Sequence, residues 1–167
     1  MSVTGEPDGR PGGGPQKVGV ALTDIMTGLY ASVGILAALQ ERERSGRGQQ
    51  VDLALLDVTA ATLANQASNY LVGGINPGRL GNAHPNIVPY QSFRAADREF
   101  IVAVGNDAQF ARLAALLGQP ELAEDARFAG NAGRVAHRET LIPLLAEGFA
   151  GRDAACWLAA LEEAGIP

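Results

Sequence analysis

The feature that most constrains this chain is a long apolar periodicity followed by a short run that is apolar on one face and nearly so on the other. Apolar residues recur at Ile25, Leu29, Val33 and Leu36, the spacing of one helix face. Residues 18–22 lead in, and either Thr23 or Asp24 supplies an N-cap. Arg42 and Arg44 complement the dipole in the last turn, and Gly46 stops the helix. Gly28 and Gly34 sit inside it; each costs ~1 kcal/mol against Ala, so each is expected where another backbone or a ligand comes close. The run Gln50-Val51-Asp52-Leu53-Ala54-Leu55-Leu56 then predicts a buried parallel strand. Asp57 is the expected cap of a second helix over 58–72, ended by Gly73-Gly74.

Residues 75–89 are rich in turn formers, and loops of that length inside a compact region are functional or interdomain. The division is therefore 1–74, a linker at 75–89, and 90–167. Beyond the linker, 90–94 and 99–104 predict a hairpin around Ala95-Ala96-Asp97-Arg98. Asn106 followed by Gln109 is a capping-box pattern opening a helix that stops at Gly118. Helical turns follow near 120–128 and from Asn131, with Pro143 expected to kink or restart the latter. A last helix starts after Asp153, turns Trp157, Leu158 and Leu161 inward, and ends at Gly165-Ile166-Pro167.

Composition removes several function classes. There are 13 basic against 18 acidic side chains, a net charge of -5, and Lys17 is the one lysine; nucleic acid as the main partner needs clustered basic residues instead. A single cysteine, Cys156, excludes an internal disulfide framework and suits a reducing cytosol. Two distant histidines and one cysteine offer no zinc site. With Asp24 before it and Gln40-Glu41-Arg42 after it, the best apolar stretch is read as falling short of the ~18 residues that a membrane span needs. The start lacks the basic and apolar regions of a signal peptide, and a cytoplasmic location is the expectation. Gly12, Gly13 and Gly14 invite a phosphate cradle, but no strand precedes them and Pro11 and Pro15 remove donors, so 5–16 is read as a surface loop.

Several phrases in order resemble the class III CoA-transferases, the group that includes carnitine-type and formyl-type enzymes. They are Thr4-Gly5-Glu6-Pro7-Asp8-Gly9, then Val18-Gly19-Val20-Ala21-Leu22-Thr23-Asp24 leading into Gly34-Ile35-Leu36-Ala37-Ala38-Leu39. Gly46-Arg47-Gly48-Gln49-Gln50-Val51-Asp52, His84-Pro85-Asn86-Ile87-Val88-Pro89-Tyr90 and Gly105-Asn106-Asp107-Ala108-Gln109-Phe110 follow. The resemblance implies an α/β fold: part of a Rossmann-like large domain, then a small α+β domain, in an interlocked homodimer at full length. It also implies a central piece of a longer chain, with Met1 similar to an internal methionine and an amino-terminal CoA-binding region outside the sequence.

Asp24 matches the family's acylated aspartate. A carboxylate that attacks a thioester must be ionised, and a helix N-terminus favours that form; the same residue could equally be only an N-cap. The activity implied is transfer of CoA from an acyl-CoA donor to a carboxylic acid, with the CoA thioester as substrate and no permanently bound cofactor. Gly28, one turn on, either admits the acyl-CoA or packs a helix. Asn82 and His84 stand where formyl-type relatives carry a glycine-rich flap, and could donate to an oxyanion; a solvent-facing linker histidine is the alternative. His137, among Arg134, Arg138 and Glu139, is read as solvated, and Cys156 beside Trp157 as core. Two rival functions stand beside the transferase. One is an alpha-methylacyl-CoA racemase, similar in fold, which tends to carry Glu where Asp107 stands. The other is an inactive remnant acting as an interaction module.

Overall fold

A computed structural model describes residues 3–167; Met1, compared above with an internal methionine, lies outside the described residues. The chain divides into two compact units, Met1–Arg79 and Leu80–Pro167. It is mixed helix and strand, in the order α1(Leu22–Ser45), α2(Leu55–Thr62), α3(Asn65–Leu71), β1(Tyr90–Arg94), β2(Glu99–Ala103), α4(Asp107–Leu116), α5(Glu121–Glu124), α6(Asn131–Ala136), α7(Arg138–Phe149) and α8(Ala154–Glu163).

In the first unit, α1 ends as its sequence predicts: Gly46 adopts φ 71° and its N–H donates to the Arg42 carbonyl at 2.8 Å. Its beginning differs. Ala21 occupies the N-cap position without a side-chain bond, and Asp24 lies in the first turn. The glycine-rich loop closes on itself, Gly14 N–H donating to Glu6 O at 3.2 Å and Gln16 N–H to Thr4 O at 3.0 Å. Its glycines thus serve their own turn.

The expected strand over 50–56 is absent: residues 51–54 belong to no helix or strand, and Leu55 and Leu56 open α2. A strand needs a neighbour to take its N–H and C=O groups, and among the described residues the only sheet is β1–β2. The second helix is likewise two helices, broken at Ala64, whose φ is 47°. Asp57 sits in the first turn of α2, with Ala54 as N-cap. Gly34 behaves as expected of an interior glycine: a Cβ there would stand 3.0 Å from Val51 Cγ1. Gly28 has no such neighbour within 4 Å among the described residues.

No residue of α1 is buried. By length and composition α1 is also apolar enough to cross a membrane. This overturns the reading of the sequence on that point, because residues 25–40 carry no charge and their Thr, Ser and Gly interrupt the apolar stretch only weakly.

The second unit is built around one core. β1 and β2 pair antiparallel with Phe93 opposite Phe100. Phe149 lies 4.9 Å from the Phe93 ring and 5.2 Å from both Phe100 and Trp157, the last two edge-on, the geometry that ring quadrupoles favour. Trp157 Nε1 donates to Phe149 O at 2.8 Å. Asn106 caps the helix, its Oδ1 accepting from Gln109 N–H at 2.9 Å, while the return bond of the box shifts one residue: Gln109 Oε1 accepts from the N–H of Gly105, before the cap, at 2.7 Å. Pro143 does not mark the restart, which falls earlier, at His137; α7 runs through the proline.

Two α8 assignments also change. Ala154, Trp157 and Leu161 form its buried face. Leu158 is 45% exposed, and Cys156 is exposed rather than core. His137 is exposed, as its polar surroundings suggest.

The buried guanidinium of Arg134 organises the unit. Nε donates to Val88 O at 2.8 Å, Nη1 to Phe128 O at 2.9 Å, and Nη2 to Asp107 Oδ1 at 2.7 Å. It also lies 4.4 Å over the Phe110 ring. Asp107, weighed above as a mark separating transferases from racemases, is therefore engaged in holding a core arginine.

Candidate active site

The N-terminal end of α1 borders a cavity of about 420 Å³. Thr23 and Asp24 come from the first turn of α1, Thr59 and Thr62 from α2, Gln66 from α3, and Lys17 from the segment leading into α1. The α1 and α2 contributions are tied together: Thr59 Oγ1 is 3.2 Å from Thr23 Oγ1 and donates to Leu55 O at 2.7 Å. Thr27 Oγ1, one turn on, donates to Thr23 O at 2.8 Å. Asp24 is exposed to this cavity and makes no hydrogen bond or ion pair among the described residues. A carboxylate presented this way, beside hydroxyls and an amide, is free to react with a carbonyl brought to it. Gly28 lies one turn further along α1 and does not line the cavity.

A larger cavity, about 810 Å³, lies in the same unit and shares Val3, Leu63 and Gln66 with the first. Its one basic side chain, Arg79, is already satisfied by an ion pair to Asp8 and a 3.3 Å bond to Glu6 O.

Asn82 and His84 belong to the second unit. Asn82 Nδ2 is 3.4 Å from Ser92 Oγ, at the edge of a shallow depression of about 330 Å³ against the hairpin. The His84 ring stacks on Tyr90 at 5.3 Å and 6°. Its Nδ1 accepts the Asn86 N–H at 3.1 Å, which places the proton of the neutral ring on Nε2. Partial burial, then the Arg138 cation, pushes the His84 pKa down and favours that neutral form. His84 is thus held as an Nε2–H donor.

The structure pairs the four residues read from the sequence as Asp24 with Gly28 on one helix, and Asn82 with His84 on one loop. Thr59, Thr62, Gln66 and Lys17 escaped that reading. The first three reach Asp24's cavity only because α2 and α3 fold beside α1, and no local pattern announces this. Lys17 carried a signal, being the one lysine and standing just before α1. Among the described residues no group of three His, Cys, Asp or Glu side chains could hold a metal.

The description of CoA-transferase family III matches residues 1–167. A succinate–glutarate CoA-transferase of Agrobacterium fabrum is 56% identical over 138 residues, 83% of this chain and 34% of that protein. A succinyl-CoA:glutarate CoA-transferase of Mus musculus is 41% identical over all of this chain and 37% of its own length. Among solved structures, a CAIB/BAIF family protein from Brucella suis is 51% identical with a TM-score of 0.71, over 100% of this chain and 43% of that one. The chain thus spans about two fifths of the proteins it matches.

Proposed function

Because this chain belongs to CoA-transferase family III, we propose that the protein carrying it moves coenzyme A from an acyl-CoA donor to a carboxylic acid, with Asp24 as the acyl acceptor. The observation that carries the reading is the unpartnered Asp24 carboxylate in the first turn of α1, facing a cavity. A short dicarboxylic acid is the acceptor class, since the two relatives above are named for succinate and glutarate.

The chemistry proceeds by acyl exchange. An Asp24 oxygen attacks the donor thioester carbonyl; the C–S bond breaks, giving a mixed anhydride and CoA thiolate. The thiolate attacks the Asp24 carbonyl of the anhydride, releasing the donor acid and leaving an aspartyl-CoA thioester. The acceptor carboxylate then attacks that thioester, expelling the thiolate and forming a second anhydride. Attack of the thiolate on the acceptor's acyl carbon yields the new acyl-CoA and frees Asp24. Each step exchanges one activated acyl group for another, so no cofactor beyond the CoA thioester enters. Asn82 and the Nε2–H of His84 are donors of the kind that can stabilise an oxyanion. The interlocked homodimer, a Rossmann-like large domain and a cytoplasmic setting belong to the same proposal.

Asp24→Asn tests it in a protein of family length carrying these residues. CoA exchange between succinyl-CoA and glutarate is expected to fall by roughly 10³-fold or more, as loss of a covalent nucleophile entails. Hydroxylamine trapping should mark Asp24 only in the unsubstituted protein. Near-parental exchange in the Asn variant would remove the nucleophile. Solvent deuterium entering next to the thioester carbonyl, without exchange, would favour the racemase instead.

A further inference from the structure

Among the described residues, Lys17 and Asp24 are the only charged side chains lining the 420 Å³ cavity, whose other walls are threonines, an amide and apolar groups. Lys17 makes no hydrogen bond or ion pair among the described residues. This pairing has a consequence for any acid that approaches Asp24. A monocarboxylate meets one like charge at the nucleophile and needs only to bring its reacting group there. A dicarboxylate brings a second negative charge to the same cavity, where it also meets the Asp24 charge. The charge needs a cation within the cavity, and Lys17 is the one the cavity has. Its ammonium is a compact point charge with three rotatable donors on a flexible stem, suited to following the far carboxylate of diacids of different length.

We infer that Lys17 is a specificity-determining residue: it binds the non-reacting carboxylate of a short dicarboxylic acid while the other carboxylate faces Asp24. The inference rests on the transferase reading for its substrate class, but the contact it asserts is a binding contact that can be observed without turnover. Arg79 does not serve, since its guanidinium is committed to Asp8 and the Glu6 carbonyl.

The one lysine makes the test direct. In the 167-residue chain, lysine labelled with ¹³C at Cε gives a single lysine signal. Glutarate is expected to move it saturably, whereas butyrate at equal concentration and ionic strength leaves it in place. Saturation-transfer measurements on the ligand should show glutarate binding weakened about 10-fold or more in Lys17→Ala, in keeping with loss of a charge-assisted hydrogen bond. Lys17→Arg should retain most of the binding. Because Lys17 is exposed, an unchanged circular dichroism spectrum is expected in both variants, so a loss of binding is not a loss of fold. A lysine signal unmoved by glutarate, or moved alike by butyrate, overturns the inference. The two readings separate cleanly: CoA exchange that needs Asp24 with an indifferent Lys17 signal sinks only the lysine. A glutarate-specific shift in a protein whose family-length form exchanges no CoA sinks only the transferase.

Discussion

The two units of this chain use a similar supply of apolar residues in opposite ways. In the second, Phe110, Leu113, Phe128, Leu141, Leu145 and Phe149 are all fully buried. In the first, Val58 is the one buried hydrophobic among the described residues, while Val33 and Leu36 on α1 are 67% and 66% exposed. A helix that is apolar yet uncovered is the kind found inside a larger core. The candidate nucleophile thus stands on the poorly covered unit, while Asn82 and His84 belong to the better-packed one. Burial, rather than helix content, separates them, because α1 is the longest helix and has no buried residue.

Hydrogen exchange should expose that contrast most sharply. The N–H groups of Val51, Asp52, Leu53 and Ala54 have no hydrogen-bond partner among the described residues, so they should exchange near the rate of an unfolded chain. Amides of Val102 and Leu113 should exchange only on global opening, a difference of several orders of magnitude. Strong protection across residues 51–56 in a demonstrated monomer would break the comparison.

Arg134→Met probes the packed side. It leaves the Val88 and Phe128 carbonyls unpaired in the core and should cost about 2–5 kcal/mol, the penalty of two unsatisfied buried acceptors. Denaturant unfolding followed by Trp157 fluorescence measures it; a loss below about 1 kcal/mol would mean that water or a neighbour replaces the guanidinium. Asn106→Ala is a smaller probe. It removes the cap that accepts the Gln109 N–H and should cost about 1 kcal/mol in the same assay.

The smallest effect expected is a pH dependence. The Arg127 side chain, then the Arg127 backbone N–H, holds the Asp125 carboxyl down at about 2 from 3.8. A carboxyl depressed on folding contributes stability above its unfolded value and loses it as pH falls through the folded one. The second unit should therefore weaken modestly between about pH 4 and 2, and Asp125→Asn should flatten that part of the profile. An identical profile in the variant would assign the acid sensitivity elsewhere.

Much of this architecture was legible in short stretches of sequence. Gly46 at the end of α1, the Asn106/Gln109 box and the hairpin around Ala95-Ala96-Asp97-Arg98 are local devices, closed by atoms a few residues apart. Where the partner lies far along the chain, periodicity was silent or misleading. The start of α8 shows why: Asp153 precedes it, but the Ala154 N–H goes at 2.7 Å to Asp97 Oδ1 in the hairpin turn. Cys156 and Leu158 sit in an apolar pattern, yet the buried face runs through Ala154, Trp157 and Leu161 because the Phe149 cluster lies on that side.

For the candidate site the division is the same. The apolar periodicity offered Asp24 only as a possible cap, and the resemblance of the phrases around it to the family singled it out as a candidate nucleophile. The sequence promised a strand at 50–56, since a run apolar on nearly both faces suits a buried strand but cannot supply the neighbour that pairs its backbone. Only the tertiary structure put Thr59 and Gln66 into one cavity with Asp24, and set Lys17 there as the one cation among the described residues. Helices and turns close their own hydrogen bonds within a few residues. A cavity exists only once separate segments meet, and the sequence does not record that meeting at any one position.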